Sequence, residues 1–237
     1  MIALVSSTLA PSEQPSHDGA RTTFSPAERL EQTRGTVASL LAAGIQEIII
    51  ADNSAGGWRG EWTPALAPAR ILHYSHPPFR NKGLGEMWLL IDALAHLPAD
   101  VPMMKISGRY RVGPASPLLA AAGADVVARV YARGRRREIS TRCYVVRSRD
   151  VAARLWPAML DEMYAQAGRI VGPRSLLDFA GGLWRPGQGA TGPADPPAAV
   201  ELAAYDALRR LGLSLAEVDH LEVEGVLGSW INPAVKE

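Results

Sequence analysis

The sequence predicts an α/β protein with a mostly parallel central sheet flanked by helices, a Rossmann-like arrangement. Three observations lead there. Short apolar runs alternate with stretches whose apolar residues recur at helical spacing, and the links between successive runs are long enough for parallel crossovers. Three of the apolar runs also break into polar, loop-forming residues: Ile48-Ile49-Ile50-Ala51-Asp52-Asn53-Ser54, His73 to Gly83, and Met104-Lys105-Ile106-Ser107-Gly108-Arg109-Tyr110. Polar residues gathered at three strand ends imply one crevice, because ligands of open α/β sheets bind outside the carboxyl ends of the strands.

Ile2 to Ser7 is short and apolar and runs into Ser7-Thr8 and the proline-rich Pro11 to Pro15, so it reads as a buried strand followed by a loop. A helix follows. Ser25-Pro26-Ala27-Glu28 combines an N-cap serine, proline at the first helical position and glutamate three residues after the cap, while Gly44 supplies the stop. Ile45 to Ala51 is the second strand and Arg70 to Tyr74 a shorter third. Gly85 to Leu97 is the next helix, with Met87, Leu90, Ile91 and Leu94 on one face. Val101 to Ile106 is the fourth strand, and a helix follows near Pro117 to Ala122. Ala124 to Tyr131 and Ile139 to Val146 form two β segments joined by an arginine-rich loop. Asp150 caps a helix toward Ala167 that Pro157 should kink or split. Residues 181–197 are a long Gly/Pro-rich loop, either a functional lid or a linker. Ala198 to Leu211 is a further helix, and Leu221 to Val226 a last strand.

Composition narrows the function classes. The chain has 237 residues, a formal net charge of +1 and a hydrophobic fraction of 47%, which argues against disorder and against a broad nucleic-acid surface. Arg133-Gly134-Arg135-Arg136-Arg137 departs from that balance and reads first as a solvated hairpin tip, although it would attract phosphates. The single cysteine, Cys143, excludes an internal disulfide framework and a multi-cysteine zinc site, and fits a reducing, cytoplasmic setting. No stretch approaches the roughly 18 to 20 apolar residues of a spanning helix, and Met1 to Val5 lacks the features of a secretion signal.

Asp52 closes the second strand, where a carboxylate accepts hydrogen bonds from ribose hydroxyls or a base N–H, or else simply organises the turn before Asn53-Ser54. No Gly-x-Gly-x-x-Gly or Gly-x-x-x-x-Gly-Lys-Ser/Thr occurs, against a dinucleotide oxidoreductase and a P-loop ATPase. Arg80-Asn81-Lys82-Gly83-Leu84-Gly85 places two cations before exposed helix N–H groups, an anion site or an ordinary helix start. Lys105 and Arg109 bracket Ser107-Gly108, a spacing that lets both charges converge on one diphosphate or leaves two solvated loop cations. His73-x-x-His76 on a strand-to-loop segment points its rings apart and makes a poor metal site. Trp184 either stacks on a sugar ring or packs in the ordinary way.

The order of strand, helix, strand ending Asp52-Asn53-Ser54, and then Asn81-Lys82-Gly83-Leu84-Gly85 at a helix start resembles the nucleotide-sugar half of GT-A type glycosyltransferases. Lys105-Ile106-Ser107-Gly108-Arg109-Tyr110 is similar to the Lys-x-Ser/Thr-Gly-Arg-Tyr segment of bacterial polysaccharide and lipopolysaccharide glycosyltransferases. The resemblance covers Ile2 to Val112. It implies a single GT-A-like domain over 1–237, with 1–112 holding the nucleotide-sugar donor and 113–237 facing the acceptor. That acceptor would be a glycan or lipid-linked glycan, reached from the cytoplasm with peripheral contact at the inner membrane face. Asp52 would contact the donor's base or ribose, Arg80, Asn81 and Lys82 would lie near its ribose and diphosphate, and Thr8, Asn53 and Gly83 would join them in binding the nucleotide-sugar. Most GT-A enzymes carry Asp-x-Asp after the fourth strand to hold a divalent metal, whereas this chain has Lys105 to Arg109. Two fixed cations can do the same electrostatic work, so the expectation is catalysis without a metal or other cofactor. Transfer with inversion needs a proton acceptor; Asp161, Glu162, Asp178, Glu222 and Glu224 are candidates, with Glu224 favoured. Alternatives are a sugar nucleotidyltransferase, whose glycine-rich first loop is missing from Ser6 to Pro15, and a non-catalytic nucleotide- or glycan-binding protein.

Overall fold

A computed structural model describes residues 1–16, 22–120, 123–134, 136–167, 199–226 and 234–236. In chain order its strands and helices are β1 (Ile2–Ser7), α1 (Pro26–Ala42), β2 (Ile48–Asp52), the single turn α2 (Trp62–Ala65), β3 (Arg70–His73), α3 (Lys82–Ala93), β4 (Met103–Ser107) and β5 (Tyr110–Val112). Then come β6 (Val126–Ala128), β7 (Val130–Arg133), β8 (Arg136–Ile139), β9 (Cys143–Val146), α4 (Arg149–Ala167), α5 (Val200–Leu211), β10 (Leu215–Glu217), β11 (Val223–Val226) and β12 (Ala234–Lys236).

Seven strands form the central sheet in the order β10-β6-β9-β4-β1-β2-β3. Only β9 runs against its neighbours, β4 and β6; the other pairs are parallel, as expected for an α/β protein. All six residues of β1 are buried, because helices cover both faces of a largely parallel sheet. Their alternation divides the core in two. Ile2 and Leu4 join Ile49, Met103 and Tyr144 beneath α3, α4 and α5. Ala3 and Val5 join Ile48, Ile50, Met104 and Ile106 beneath α1 and the small sheet of β12, β11 and β5. On β4 this period of two puts Lys105 on the same face as Met103, toward α3.

The signals at α1 act as read: Glu28 N–H is bonded to the Ser25 hydroxyl, the Glu28 carboxylate reaches back to Ser25, and Gly44 adopts φ 86° just beyond the end. Helix α3 begins at Lys82, three residues earlier than its apolar periodicity suggests, because the Asn81 side-chain oxygen accepts from Gly83 and Leu84 N–H and caps it. Helix α4 starts from Ser148, whose side chain accepts from Val151 N–H, and runs unbroken through Pro157. The hydrogen bond that Pro157 forfeits belongs to the carbonyl of Ala153, an exposed residue whose carbonyl water can satisfy. The Pro117 segment is only a short 3-10 turn, Pro117–Ala120. The arginine run is the tip of the β7–β8 hairpin, with Arg133 paired to Arg136 and Gly134 at φ 63°. The expected loop at 181–197, with Trp184, and Asp178 lie outside the described residues. Among the described residues no helix is long and apolar enough to cross a membrane.

Replacing the cap serine tests the first of these local signals. Ser25→Ala should lower unfolding stability by about 1 kcal/mol in urea with an unchanged denaturant slope; unaltered stability would mean that the cap contributes nothing measurable.

Candidate active site

The chain lays β1, β2 and β3 outward in one direction and then returns to place β4 on the other side of β1. The strand order therefore reverses between β1 and β4, and the two loops leaving their carboxyl ends part to open a crevice. A cleft of about 280 Å³ lies there. Ser6 to Thr8 and Ser107 to Arg109 line its floor, the first turns of α3 and α5 one wall, and Arg29 and Thr33 of α1 another. Gly108 allows the floor to close: its N–H bonds Ser6 carbonyl at 2.8 Å and its carbonyl accepts from Thr33 Oγ1 at 3.0 Å. A Cβ at that position would sit 3.0 Å from the Thr33 hydroxyl.

Beneath the floor, Lys105 is wholly buried. Its ammonium lies 2.6 Å from Glu86 Oε1, donates to Ser107 Oγ at 3.2 Å and also donates to the Thr141 carbonyl. Those three partners match the three N–H donors of an ammonium, and the Tyr144 ring lies 5.7 Å away. Glu86 Oε1 also accepts from Ser6 Oγ at 2.5 Å and Ser107 Oγ at 3.3 Å. Burial alone would push the Glu86 carboxyl up, but Lys105 and the Ser6 hydroxyl, with Arg109 nearby, outweigh it and hold the group below the ordinary carboxylate range. Glu86 is thus an ionised carboxylate, about one fifth exposed, on the cleft wall.

The sequence-predicted residues separate accordingly. Arg109, Thr8, Asn53, Lys82 and Gly83 line the cleft; Thr8 donates its hydroxyl proton to the Asn53 side-chain oxygen. Lys105 does not line it, because alternation along β4 turns its side chain into the core under α3. Asp52 is wholly buried as well. Its carboxylate accepts from Leu9 N–H at 3.1 Å and Ser54 N–H at 2.8 Å, with His73 Nδ1 at 3.4 Å, and so ties the β1 and β2 loops together. Asn81 caps α3 and Arg80 is exposed outside the cleft lining. Glu224 is exposed on β11, opposite Arg111 of β5, away from the cleft. Glu222 precedes the strand at φ 50° and does not share its alternation. Asp161 and Glu162 both face Arg210, joining α4 to α5. His76 turns to Asp92 at 2.7 Å while His73 turns to Asp52, and no three His, Cys, Asp or Glu side chains among the described residues are grouped as metal ligands.

Four charged side chains of the cleft escaped sequence reasoning: Arg29, Glu86, Arg142 and Glu201. Glu201 stands in the first turn of α5 and accepts from Thr141 Oγ1 at 3.3 Å. Burial raises its carboxyl above the ordinary range, and the negative charges of Glu86 and Glu138 add to the rise. For Glu86 a faint signal existed, since a lone carboxylate stands among Leu84, Met87, Leu89 and Leu90.

No family model and no curated protein matches the chain. Solved structures with a similar chain path include the galactosyltransferase LgtC, determined with donor and acceptor sugar analogues (8% identity over 75% of this chain and 69% of that one, TM-score 0.40). A putative glucose-1-phosphate thymidylyltransferase from Bacillus anthracis gives 10% identity over 94% and 88%, with a TM-score of 0.46. The CTP:phosphocholine cytidylyltransferase LicC from Streptococcus pneumoniae gives 9% over 95% and 92%, with 0.41. These likenesses are distant, and the reactions they span belong to those proteins.

Two substitutions test the roles of the buried groups. Lys105→Ala leaves Glu86 without its counter-charge and should cost about 3–5 kcal/mol of stability, whereas a loss below 1 kcal/mol would show that the pair holds nothing together. Because the folded-state value of Glu86 is lowered, the pair stabilises above the unfolded carboxylate range and fails as pH falls through the lowered value. The cost of Lys105→Ala should accordingly shrink in acid. Asp52→Ala leaves Leu9 and Ser54 N–H without an acceptor and should cost about 1–3 kcal/mol, measurable by urea unfolding.

Proposed function

We propose that this protein transfers a sugar from a nucleotide-activated donor to a glycan or lipid-linked glycan acceptor, and that it does so without a divalent metal. The observation that carries this reading is the clustering of Arg29, Lys82, Arg109 and Arg142 around one cleft at the strand-order reversal. Two carboxylates, Glu86 and Glu201, share that cleft, and Lys105 lies against one of them from beneath, so cationic side chains outnumber anionic ones in its lining. A donor diphosphate matches it in charge, and arginine forks match its paired oxygens.

In sugar transfer the bond from the anomeric carbon to the diphosphate breaks, and negative charge grows on the departing oxygen. Cations already fixed in place stabilise that charge without rearranging, which is the work a bridging metal otherwise does. Lys105 to Arg109 stands where the resemblance would put metal-binding aspartates, and the closeness of Gly108 to Ser6 leaves room for a ligand above the floor. Asn53 and Thr8 line the cleft, and on this reading their amide and hydroxyl groups would serve the donor's nucleoside. A lipid-linked acceptor would bring the protein to the inner membrane face as a peripheral partner.

A panel of UDP-, GDP-, dTDP- and CMP-sugars tests this, read by melting temperature and by release of the nucleotide, with and without EDTA. A matching donor should raise the melting temperature and turn over in EDTA. Arg109→Ala should lower turnover by on the order of 10²-fold with a smaller effect on donor binding, and Arg109→Lys should recover part of it. Formation of pyrophosphate from a sugar phosphate and a nucleoside triphosphate would make the protein a nucleotidyltransferase. Loss of transfer in EDTA with recovery in Mn²⁺ would overturn metal independence.

A further inference from the structure

We propose that Glu201 is the group that takes the proton from the acceptor hydroxyl, an assignment that rests on the sugar-transfer reading of the cleft. Its position is a consequence of packing. A Cβ at Gly83 would lie 2.9 Å from Val200 Cβ, so a glycine at that point is what lets the start of α5 press against the start of α3. Ala203, Ala204 and Ala207, all buried, keep the rest of α5 close to the core. The helix therefore delivers Glu201 into the same cleft that Glu86 enters from α3.

The two carboxylates stand in opposite surroundings. Glu86 is held by an ammonium and two hydroxyls and stays ionised, which makes it a poor place for a proton to rest. Glu201 accepts from its own backbone N–H and from the Thr141 hydroxyl, but burial and the negative charges of Glu86 and Glu138 outweigh these, so accepting a proton relieves desolvation and repulsion. Pairs of acids pushed apart in this way divide their labour. Arg29 on α1, Lys82 on α3, Arg109 after β4 and Arg142 before β9 are the cations that share the cleft with it. The Glu224 expected from sequence is exposed on β11 outside the cleft lining.

The acceptor O–H bond breaks and its proton moves to a Glu201 carboxylate oxygen while the acceptor oxygen bonds the anomeric carbon. The bond from that carbon to the donor phosphate oxygen breaks with its electron pair, so the nucleotide leaves with one more negative charge, facing Arg109 and its neighbours.

Glu201→Gln keeps the shape and the contact with Thr141 while removing the basic oxygen. Turnover should fall by on the order of 10²–10⁴-fold with donor affinity, measured by calorimetry, unchanged. Wild-type kcat should rise with pH as Glu201 ionises, and this acid limb should vanish in Glu201→Gln, a change that a merely structural role would not produce. The folded value of Glu201 is raised, so its stabilising contribution is present in acid and lost as pH rises through that value. Glu201→Gln should therefore melt no lower than wild type at neutral pH, which separates catalysis from misfolding. Wild-type turnover in Glu201→Gln, or an unchanged acid limb, overturns the assignment alone. Failure of the wild type to release nucleotide from any donor overturns the transfer reading and this assignment with it.

Discussion

An ammonium sealed under a sheet must find a carboxylate, and the meeting of Lys105 with Glu86 is the contact on which the rest of the cleft depends. It joins β4 to α3 across the upper edge of one core layer, and through Ser6 and Ser107 it also joins the ends of β1 and β4. The ends of the two paired strands whose loops open the crevice are thereby tied together beneath it. An apolar pair would satisfy packing equally well, and buried ion pairs rarely add net stability. What the pair adds here is placement: Glu86 remains charged and oriented at the cleft surface, which a hydrophobic contact could not achieve.

Two glycines let this arrangement close. Gly108 brings the β4 loop to the Ser6 carbonyl, and Gly83 lets α5 lie against α3. Both act through the absence of a Cβ rather than through unusual backbone angles. Asp52 performs a parallel task on the neighbouring loops by gathering backbone donors from both, so that Thr8 and Asn53 reach the cleft in a defined pose. The buried polar residues of this end of the sheet thus support the surface that a ligand would meet.

The charge pattern of the cleft follows from the same division. Cations come from four separate segments, α1, α3, the β4 end and the loop before β9, so their convergence belongs to the tertiary structure. Against them stand one carboxylate stabilised as an anion and one whose anion is disfavoured. A site with fixed positive charge and two unlike acids suits chemistry in which a leaving group gains charge while a hydroxyl loses a proton.

Local signals determined a good part of this protein. Ser25, Glu28 and Gly44 bound α1 because caps act over three or four residues, and the apolar runs Ile2–Ser7 and Ile48–Asp52 became central strands because only buried, doubly covered strands are so uniformly apolar. The polar ends of β2, β3 and β4 announced a crevice, and Arg109 and Lys82 were found there. The sequence could not say which way Lys105 and Asp52 point, because the alternation of a strand has two phases until helices cover its faces. Nor could it show that Glu86 answers Lys105, or that Glu201 and Glu86 share one cleft, since those partners lie far apart in the chain. Their meeting is decided by strand order and by how closely α3 and α5 approach, and no local pattern of residues encodes either.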